Sequence, residues 1–207
     1  DELFAAALEA GVRFTTEYQV CDTYIVSVPT PYDKVDKKID PCYVVAAIRS
    51  VLEVAPEGAV VIIESTVSPN TIDRFVRPVV EEAGRADVEL VHAPERIIPG
   101  NMVAELLHNN RTIGADDPVV AERVAALYAS FCQGEIALTD IRTAEMTKVV
   151  ENTFRAVNIA FSNELSKICR IGGMDVSEVI RIANKHPRVN ILQPGPGVGG
   201  HCIPVDP

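Results

Sequence analysis

The end of the chain combines a cysteine, a glycine-rich segment and a carboxylate. Cys202 precedes Asp206 by four residues, so a nucleophile and a possible base lie one helical turn apart. Pro204 suits the first turn of a helix, and a thiol at a helix N-terminus is stabilised as the nucleophilic thiolate. The glycines before it are Gly195, Gly197, Gly199 and Gly200. Glycines leave room for a bulky ligand and adopt conformations closed to other residues. The pattern predicts a reactive cysteine beside a ligand-binding loop, although a glycine–proline linker with an inert cysteine has the same composition.

Three polar residues share one face of a predicted long helix. Glu145, Lys148 and Asn152 are spaced at i, i+3 and i+7, which brings them to the same side of an α-helix. A lysine and an asparagine in this arrangement can stabilise a developing oxyanion. The alternative is a solvent-exposed ion pair between Glu145 and Lys148 with a polar neighbour.

The elements that must position these residues alternate between strands and helices. Apolar runs rich in valine and isoleucine predict strands, and amphipathic stripes between them predict helices. The predicted strands lie near residues 24–28, 59–63, 88–92, 111–114 and 135–138. Strands that are apolar throughout imply a parallel sheet that is covered on both faces.

Polar residues follow the carboxyl ends of the first three predicted strands. These residues are Thr30, Thr66 and Glu95. Ligands bind outside these strand ends in parallel sheets, so all three are candidate site residues. Turn or capping chemistry explains the two threonines equally well. Glu95 could position a water molecule or cap its own turn.

The pattern changes after Asp140. Residues 143–171 contain no proline or glycine and predict one long helix, which ends at Gly172 and Gly173. A shorter helix is predicted around residues 176–183. The long helix exceeds the usual globular length, which favours a spine between domains or subunits.

Composition narrows the classes of function. The chain has 207 residues, 47% of them hydrophobic, and a formal net charge of −10. This acidity argues against nucleic-acid binding, because the neutralisation of phosphates supplies most of that affinity. The sequence contains no apolar run of membrane-spanning length. Its five cysteines and four histidines show neither metal-ligand nor disulfide spacing, so no metal site is predicted and a reducing cytoplasm is expected.

Six short motifs occur in a characteristic order. They are Val28-Pro29-Thr30-Pro31, Glu64-Ser65-Thr66-Val67, Pro94-Glu95-Arg96, Thr143-Ala144-Glu145-Met146-Thr147-Lys148 with Asn152, Asn163-Glu164-Leu165-Ser166, and the terminal glycine–cysteine segment. In this order they resemble the UDP-glucose/GDP-mannose dehydrogenase family. Residues 186–194, followed by the Cys202 loop, are most similar to the members that act on UDP-N-acetyl-D-mannosamine. The alternative substrates are UDP-glucose, UDP-N-acetyl-D-glucosamine and GDP-mannose. UDP-glucose dehydrogenases carry a second glutamate where Pro99 stands in this chain, which argues against glucose.

The resemblance implies a fold class and two domains. Residues 1–139 would form the C-terminal part of an NAD-binding domain, a partial Rossmann-type parallel sheet with flanking helices. Residues 140–207 would form an all-α central domain whose long helix makes a homodimer. The glycine-rich turn of the first strand and the C-terminal domain would lie outside the chain, which begins in a helical pattern without an initiator methionine. A cytoplasmic enzyme of polysaccharide biosynthesis is expected.

The resemblance also implies a reaction. The family oxidises a sugar C6 alcohol to a carboxylate in two steps, with two molecules of NAD. Cys202 matches the nucleophile that carries the thiohemiacetal and the thioester, and Asp206 matches a group that activates water or relays protons. Lys148 and Asn152 match the pair that stabilises the oxyanion and holds water.

Other residues match ligand contacts of the family. Thr66 and Glu95 match positions near the nicotinamide and the hydrolytic water, and Pro29 and Thr30 match contacts to the dinucleotide. The residues that match the nucleotide-sugar loop are Arg188, Asn190, Gly195, Gly197, Gly199 and Gly200, with Arg188 within reach of a neighbouring subunit. Two functions of other classes stay open, a cysteine hydrolase or acyl-transfer enzyme that uses Cys202 and a non-catalytic assembly module.

Overall fold

The computed structural model describes residues 2–33, 35, 38–97 and 100–199. This part of the chain forms a five-stranded sheet with helices on both faces, followed by a long helix that extends beyond the sheet. The sequence predictions for Pro99, Gly200, Cys202 and Asp206, and for a helix that begins at Pro204, lie outside the described residues.

The main sheet is mixed rather than fully parallel. The strands are β1 (Thr23–Val26), β2 (Tyr32–Asp33), β3 (Lys38–Ile39), β4 (Val60–Ile63), β5 (Glu89–His92), β6 (Arg111–Ala115) and β7 (Ile136–Thr139). The sheet has the order β1-β4-β5-β6-β7, and β2 pairs with β3 as a short antiparallel hairpin. β1, β4 and β5 are parallel, as predicted, whereas β6 runs antiparallel to β5 and β7 runs parallel to β6. The prediction of a parallel sheet is therefore wrong for the last two strands.

Seven α-helices and one π-helical turn occur in the described residues. They are α1 (Glu2–Glu9), α2 (Cys42–Val54), the π-helical turn Ile72–Val76, α3 (Arg77–Glu82), α4 (Met102–His108), α5 (Pro118–Ala129), α6 (Ile141–Ile171) and α7 (Val176–Ala183). The sequence did not predict α4, which buries no residue. The chain between β5 and β6 re-enters the sheet in the opposite direction, so α4 does not belong to a parallel crossover. None of the described helices has the length and apolar character that a membrane span requires.

Two apolar cores cover the two faces of the sheet. On one face, α2, the π-helical turn and α3 pack around Val61 and Ile63, which are both fully buried. On the other face, α5 packs around Ile62, which is also fully buried. All four residues of β4 are buried, which agrees with the prediction of a strand covered on both sides.

The long helix α6 begins against the sheet and continues past it. Asp140 caps its N-terminus, since Oδ1 accepts a hydrogen bond of 2.9 Å from Thr143 N. The helix crosses β6 at Gly114, where an added Cβ would lie 2.7 Å from both the Ala144 Cβ and the Asp140 carbonyl oxygen. The C-terminal half of α6 packs against α7. The predicted end of the long helix at Ile171 agrees with the structure.

Candidate active site

Three loops lie side by side at one edge of the sheet, because they leave the carboxyl ends of the parallel strands β1, β4 and β5. Of the predicted residues, the loops carry the exposed Pro29 and the half-buried Thr30, Thr66 and Glu95. Ser65 joins the first two loops, because its Oγ accepts a hydrogen bond from Val28 N and donates one to Val28 O, both at 2.8 Å. The edge that the sequence predicted as the site is therefore built from connected loops.

Glu95, in the third loop, is held at both of its carboxylate oxygens. Oε1 accepts a hydrogen bond of 2.6 Å from Arg96 N, which is the turn-capping contact that the sequence allowed. Oε2 accepts a hydrogen bond from Nη2 of Arg111. Each carboxylate oxygen can accept a second hydrogen bond, so both contacts leave Glu95 able to orient a water molecule.

Arg111 lies between two carboxylates and above two aromatic rings. It is only 5% exposed, and its Nη1 is 3.6 Å from Glu64 Oε1. The guanidinium carbon lies 4.4 Å from the centre of the Tyr128 ring and 5.7 Å from that of Phe131. The Tyr128 hydroxyl donates a hydrogen bond of 2.6 Å to Glu64 Oε1. Burial, followed by this contact to Glu64, raises the pKa of Tyr128 above its usual value of 10, so the hydroxyl remains a donor.

The reversed direction of β6 explains why Arg111 meets Glu95. His92 at the end of β5 is paired with Gly114 in the antiparallel register. Continuing that register past the end of β5 places Glu95 opposite Arg111. A parallel β6 would have placed Arg111 at the other edge of the sheet, far from the loops.

Arg96 connects the third loop to the long helix. Its Nε donates a hydrogen bond of 2.9 Å to Glu151 Oε2, and its Nη2 lies 2.7 Å from Glu151 Oε1. The same guanidinium donates to the Asn110 carbonyl oxygen and to Thr112 Oγ1, both at 2.8 Å. The loop that carries Glu95 is thereby fixed to α6 and to the start of β6.

Glu145 connects the second loop to the same helix, and it is fully buried. Its Oε2 accepts a hydrogen bond of 2.6 Å from Asn70 N, and its Oε1 accepts one of 2.9 Å from Ile72 N. Asn70 has a φ of 73°, a conformation that is uncommon for a residue other than glycine. Burial raises the pKa of Glu145 above its ordinary value of 4.5. The alternative of a solvent-exposed ion pair with Lys148 is therefore wrong, because Glu145 is turned towards the protein interior.

Lys148 and Asn152 lie in the stretch of α6 that receives both loops. Asn152 is buried and Lys148 is half-buried. Glu145 anchors the second loop one turn before Lys148, and Glu151 anchors the third loop immediately before Asn152. The helix segment that the sequence singled out for oxyanion chemistry therefore adjoins the loops of Thr66 and Glu95.

The segment after α7 lies along the C-terminal half of α6. Asn158 donates a hydrogen bond of 2.7 Å from Nδ2 to the Asn190 carbonyl oxygen and accepts one of 3.0 Å at Oδ1 from Leu192 N. Asn163 Oδ1 accepts a hydrogen bond of 2.8 Å from Gly195 N. The predicted residue Asn190 is thus held on α6 through its backbone.

The glycines of this segment differ from the prediction in one respect. The described ones, Gly195, Gly197 and Gly199, are not among the glycines with positive φ, so they do not need conformations closed to other residues. The space around them is open, since an added Cβ would meet nothing closer than 3.9 Å. A cavity of about 410 Å³ lies between these glycines and α6, and Lys167 and Arg170 are in its lining. Arg188 is exposed beyond this segment.

His92 lies at the end of β5, immediately before the third loop, and is fully buried. Its Nδ1 is 3.0 Å from the Ile63 carbonyl oxygen, which can only accept, so the neutral ring carries its proton on Nδ1. Burial lowers the pKa of His92 from 6.5 to about 4. The ring is therefore neutral at physiological pH.

Sequence reasoning missed the residues that connect the loops. Arg96 stood inside a recognised motif, but nothing in the sequence indicated its contact with Glu151. Arg111 was assigned only to a strand, and Tyr128 only to an apolar stripe. An arginine at the start of a predicted strand is a signal that could have drawn attention to Arg111, because a buried arginine requires a partner.

The chain belongs to the UDP-glucose/GDP-mannose dehydrogenase family. Residues 1–132 match the model of the family's NAD binding domain, and residues 142–207 match the model of its central domain. The family resemblance and the α/β fold class predicted from the sequence are thereby confirmed.

Two curated relatives and one solved structure show which members of the family this chain is similar to. A UDP-N-acetyl-D-mannosamine dehydrogenase from Salmonella typhi is 50% identical over 97% of this chain and 50% of its own length. An NDP-N-acetyl-D-galactosaminuronic acid dehydrogenase from Ralstonia nicotianae is 44% identical over 100% of this chain and 51% of its own length. The crystal structure of the UDP-N-acetyl-mannosamine dehydrogenase from Staphylococcus aureus superimposes with a TM-score of 0.87 at 47% identity, over 97% of this chain and 50% of that one. The chain spans about half the length of the curated relatives it matches.

Proposed function

We propose that this chain, within a protein of full family length, contributes the catalytic centre of an NAD-dependent nucleotide-sugar dehydrogenase. The favoured reaction oxidises the C6 alcohol of UDP-N-acetyl-D-mannosamine to a carboxylate, because a 50% identical relative bears that substrate in its name. The observation that carries the proposal is the attachment of two loops to one helix segment. Glu145 binds the loop of Thr66, and Glu151 binds the loop of Glu95, on either side of Lys148.

The chain's own residues would act on the sugar carbon that is oxidised. Lys148 and Asn152 would stabilise the oxygen that becomes negatively charged when a tetrahedral centre forms. NAD supplies the hydride acceptor when it is bound. The edge formed by the three loops fits a dinucleotide, because ligands of such sheets lie outside the carboxyl ends of the parallel strands. Pro29, Thr30 and Thr66 would hold the cofactor there.

Cys202 would be the nucleophile. The resemblance to the family assigns this role to Cys202, which would act beside Lys148 with Asp206 as a proton relay.

The segment along α6 would bind the nucleotide sugar. The open space around its glycines and the neighbouring cavity of about 410 Å³ would admit a bulky ligand, and Arg170 in the lining would meet an anionic group of it, since Lys167 is paired with Glu164. Arg188 and Asn190 would belong to the same binding segment, and Gly200 would continue it towards Cys202.

A panel of nucleotide sugars tests the proposal. The protein of full family length is incubated with NAD and each of UDP-N-acetyl-D-mannosamine, UDP-glucose, UDP-N-acetyl-D-glucosamine and GDP-mannose, and NADH is followed by absorbance. We expect the highest kcat/KM with UDP-N-acetyl-D-mannosamine. A higher kcat/KM with another sugar would change the assigned substrate and leave the proposed reaction unchanged. The absence of NADH with all four sugars would contradict the proposed function.

We also propose that α6 forms a homodimer. Large apolar side chains at 49–64% exposure follow one another along the helix at spacings of three, four and seven residues. They are Met146, Val150, Phe154, Val157, Phe161 and Ile168. A stripe of this period and length fits another apolar helix, and a second copy of the chain supplies the same stripe in the opposite direction.

The oligomeric state of matched variants tests the dimer. Phe154→Glu places a charge in the middle of the apolar stripe and should give a monomer in sedimentation velocity. Val119→Glu is the control, because Val119 is an equally apolar and 71% exposed residue on α5, away from the stripe. A Phe154→Glu variant that remains a dimer would contradict the α6 interface.

The cytoplasmic location, inferred from the cysteine content, stays a prediction.

A further inference from the structure

The guanidinium of Arg111 donates a hydrogen bond to Glu95 through Nη2, whereas its buried Nη1 has no hydrogen-bond partner among the described residues. It is 5% exposed, it contacts the carboxylates of Glu64 and Glu95, and it lies over the ring of Tyr128. Buried ion pairs are often no more stabilising than apolar side chains of the same volume, because both charges lose their hydration. The cluster also carries one positive and two negative formal charges at the edge where the three loops meet. This composition indicates a role other than core stabilisation.

We propose that Arg111 is a positioning residue for Glu95 in the hydrolysis of the Cys202 thioester, an inference that rests on the proposed function. In that step the oxygen of water bonds to the thioester carbonyl carbon, the C–S bond breaks, and the Cys202 thiolate leaves with the electron pair. The water loses one proton through Glu95 to solvent, and no oxidant or reductant is needed. Glu95 can orient that water only if its carboxylate keeps one direction, and Arg111 fixes that direction through Oε2.

The opposite side of the cluster holds Arg111 itself. Glu64 faces the second terminal nitrogen of the guanidinium, and the Tyr128 hydroxyl fixes Glu64 through a hydrogen bond of 2.6 Å. A planar guanidinium can contact two carboxylates in its own plane and stack on a ring at the same time, which an ammonium group cannot do. The Arg111→Lys variant therefore keeps the positive charge but cannot contact both carboxylates and the ring at the same time.

The test compares hydride transfer with hydrolysis in the protein of full family length. Enzyme, NAD and the best sugar of the panel are mixed rapidly, NADH is followed from the first turnover, and acid-quenched samples are analysed by intact mass. We expect Arg111→Lys to release a first burst of two NADH per active site, because both hydride transfers precede the impaired hydrolysis. Its steady-state kcat should fall about 10-fold to 10²-fold, and the sugar adduct on Cys202 should accumulate. The KM values should change little, because Arg111 is almost fully buried and acts through Glu95.

Four further variants make the test specific. Glu95→Gln should accumulate the same adduct, and the double variant with Arg111→Lys should be no slower than Glu95→Gln alone. Arg85→Lys is the control for a purely structural arginine, because Arg85 binds Asp87 at 2.9 Å and three carbonyl oxygens at the amino edge of the sheet. It should lower the melting temperature without accumulating the adduct. If Arg111→Lys is insoluble, Tyr128→Phe frees Glu64 and should accumulate a smaller amount.

Two results would overturn the proposal in different ways. If Glu95→Gln accumulates the adduct while neither Arg111→Lys nor Tyr128→Phe does, Arg111 has no positioning role and the proposed function stands. If the wild type forms no NADH with any sugar, the proposed function fails and this inference fails with it.

Discussion

Replacing Glu145 by glutamine should destabilise the protein although the two side chains have the same shape. Each carboxylate oxygen of Glu145 accepts a backbone hydrogen bond, from Asn70 N at 2.6 Å and from Ile72 N at 2.9 Å. A glutamine offers one oxygen, so its amide group must face one of these N–H donors. Loss of a hydrogen bond to a charged group costs about 1.5–3 kcal/mol. We expect a loss of this size in Glu145→Gln.

Urea unfolding, followed by circular dichroism, measures this loss. Glu164→Gln is the matched control, because Glu164 lies on the same helix, is exposed, and makes only an i,i+3 ion pair with Lys167. The control should change the free energy of unfolding by no more than about 0.5 kcal/mol. Equal unfolding curves for Glu145→Gln and Glu164→Gln would refute the assignment of Glu145 as the anchor of the second loop.

Three other residues give separate predictions. Gly114→Ala should lower the free energy of unfolding in urea by at least about 2 kcal/mol, because its Cβ would lie 2.7 Å from the Asp140 carbonyl oxygen. Gly197→Ala, where the space is open, should leave the free energy of unfolding unchanged. Equal effects of the two variants would disprove the close crossing of α6 and β6. Burial lowers the pKa of His92 from 6.5 to about 4, so the neutral ring contributes about 3 kcal/mol to the free energy of unfolding above pH 6.5. This contribution is lost as the pH falls towards 4. His92→Gln should lack that part of the acid sensitivity, and an unchanged pH profile would argue against a buried neutral ring. Lys148→Ala should lower kcat about 10²-fold to 10³-fold, and an effect on KM alone would be inconsistent with oxyanion stabilisation.

Local patterns in the sequence were sufficient for most of the elements. Strand β4 was predicted from a run of valine and isoleucine, and α6 from a long segment without proline or glycine, because burial and helix breaking leave local signals. Helix α4 was missed because it is only seven residues long, too short for a clear helical period. The direction of β6 was predicted incorrectly, since the residues of a strand do not encode which neighbour it pairs with or in which sense.

The contacts of the candidate site were less predictable than its members. Thr66 and Glu95 could be placed at the carboxyl edge because that edge follows from the strand pattern. The pairing of Glu95 with Arg111 depends on the antiparallel register of β5 and β6, which is a property of the whole sheet. Glu145 was recognised as part of a helix face, but its partners are backbone groups more than 70 residues earlier in the chain. Partners of that kind have no side-chain signature in the sequence.

The stoichiometry of NADH and its dependence on Cys202 test the central claim most directly. In the protein of full family length, the wild type should form two NADH for each UDP-N-acetyl-D-mannosamine consumed and yield the carboxylate. Cys202→Ala should abolish formation of the carboxylate, because no thioester can form. A Cys202→Ala variant that still forms two NADH per sugar at the wild-type rate would contradict the account.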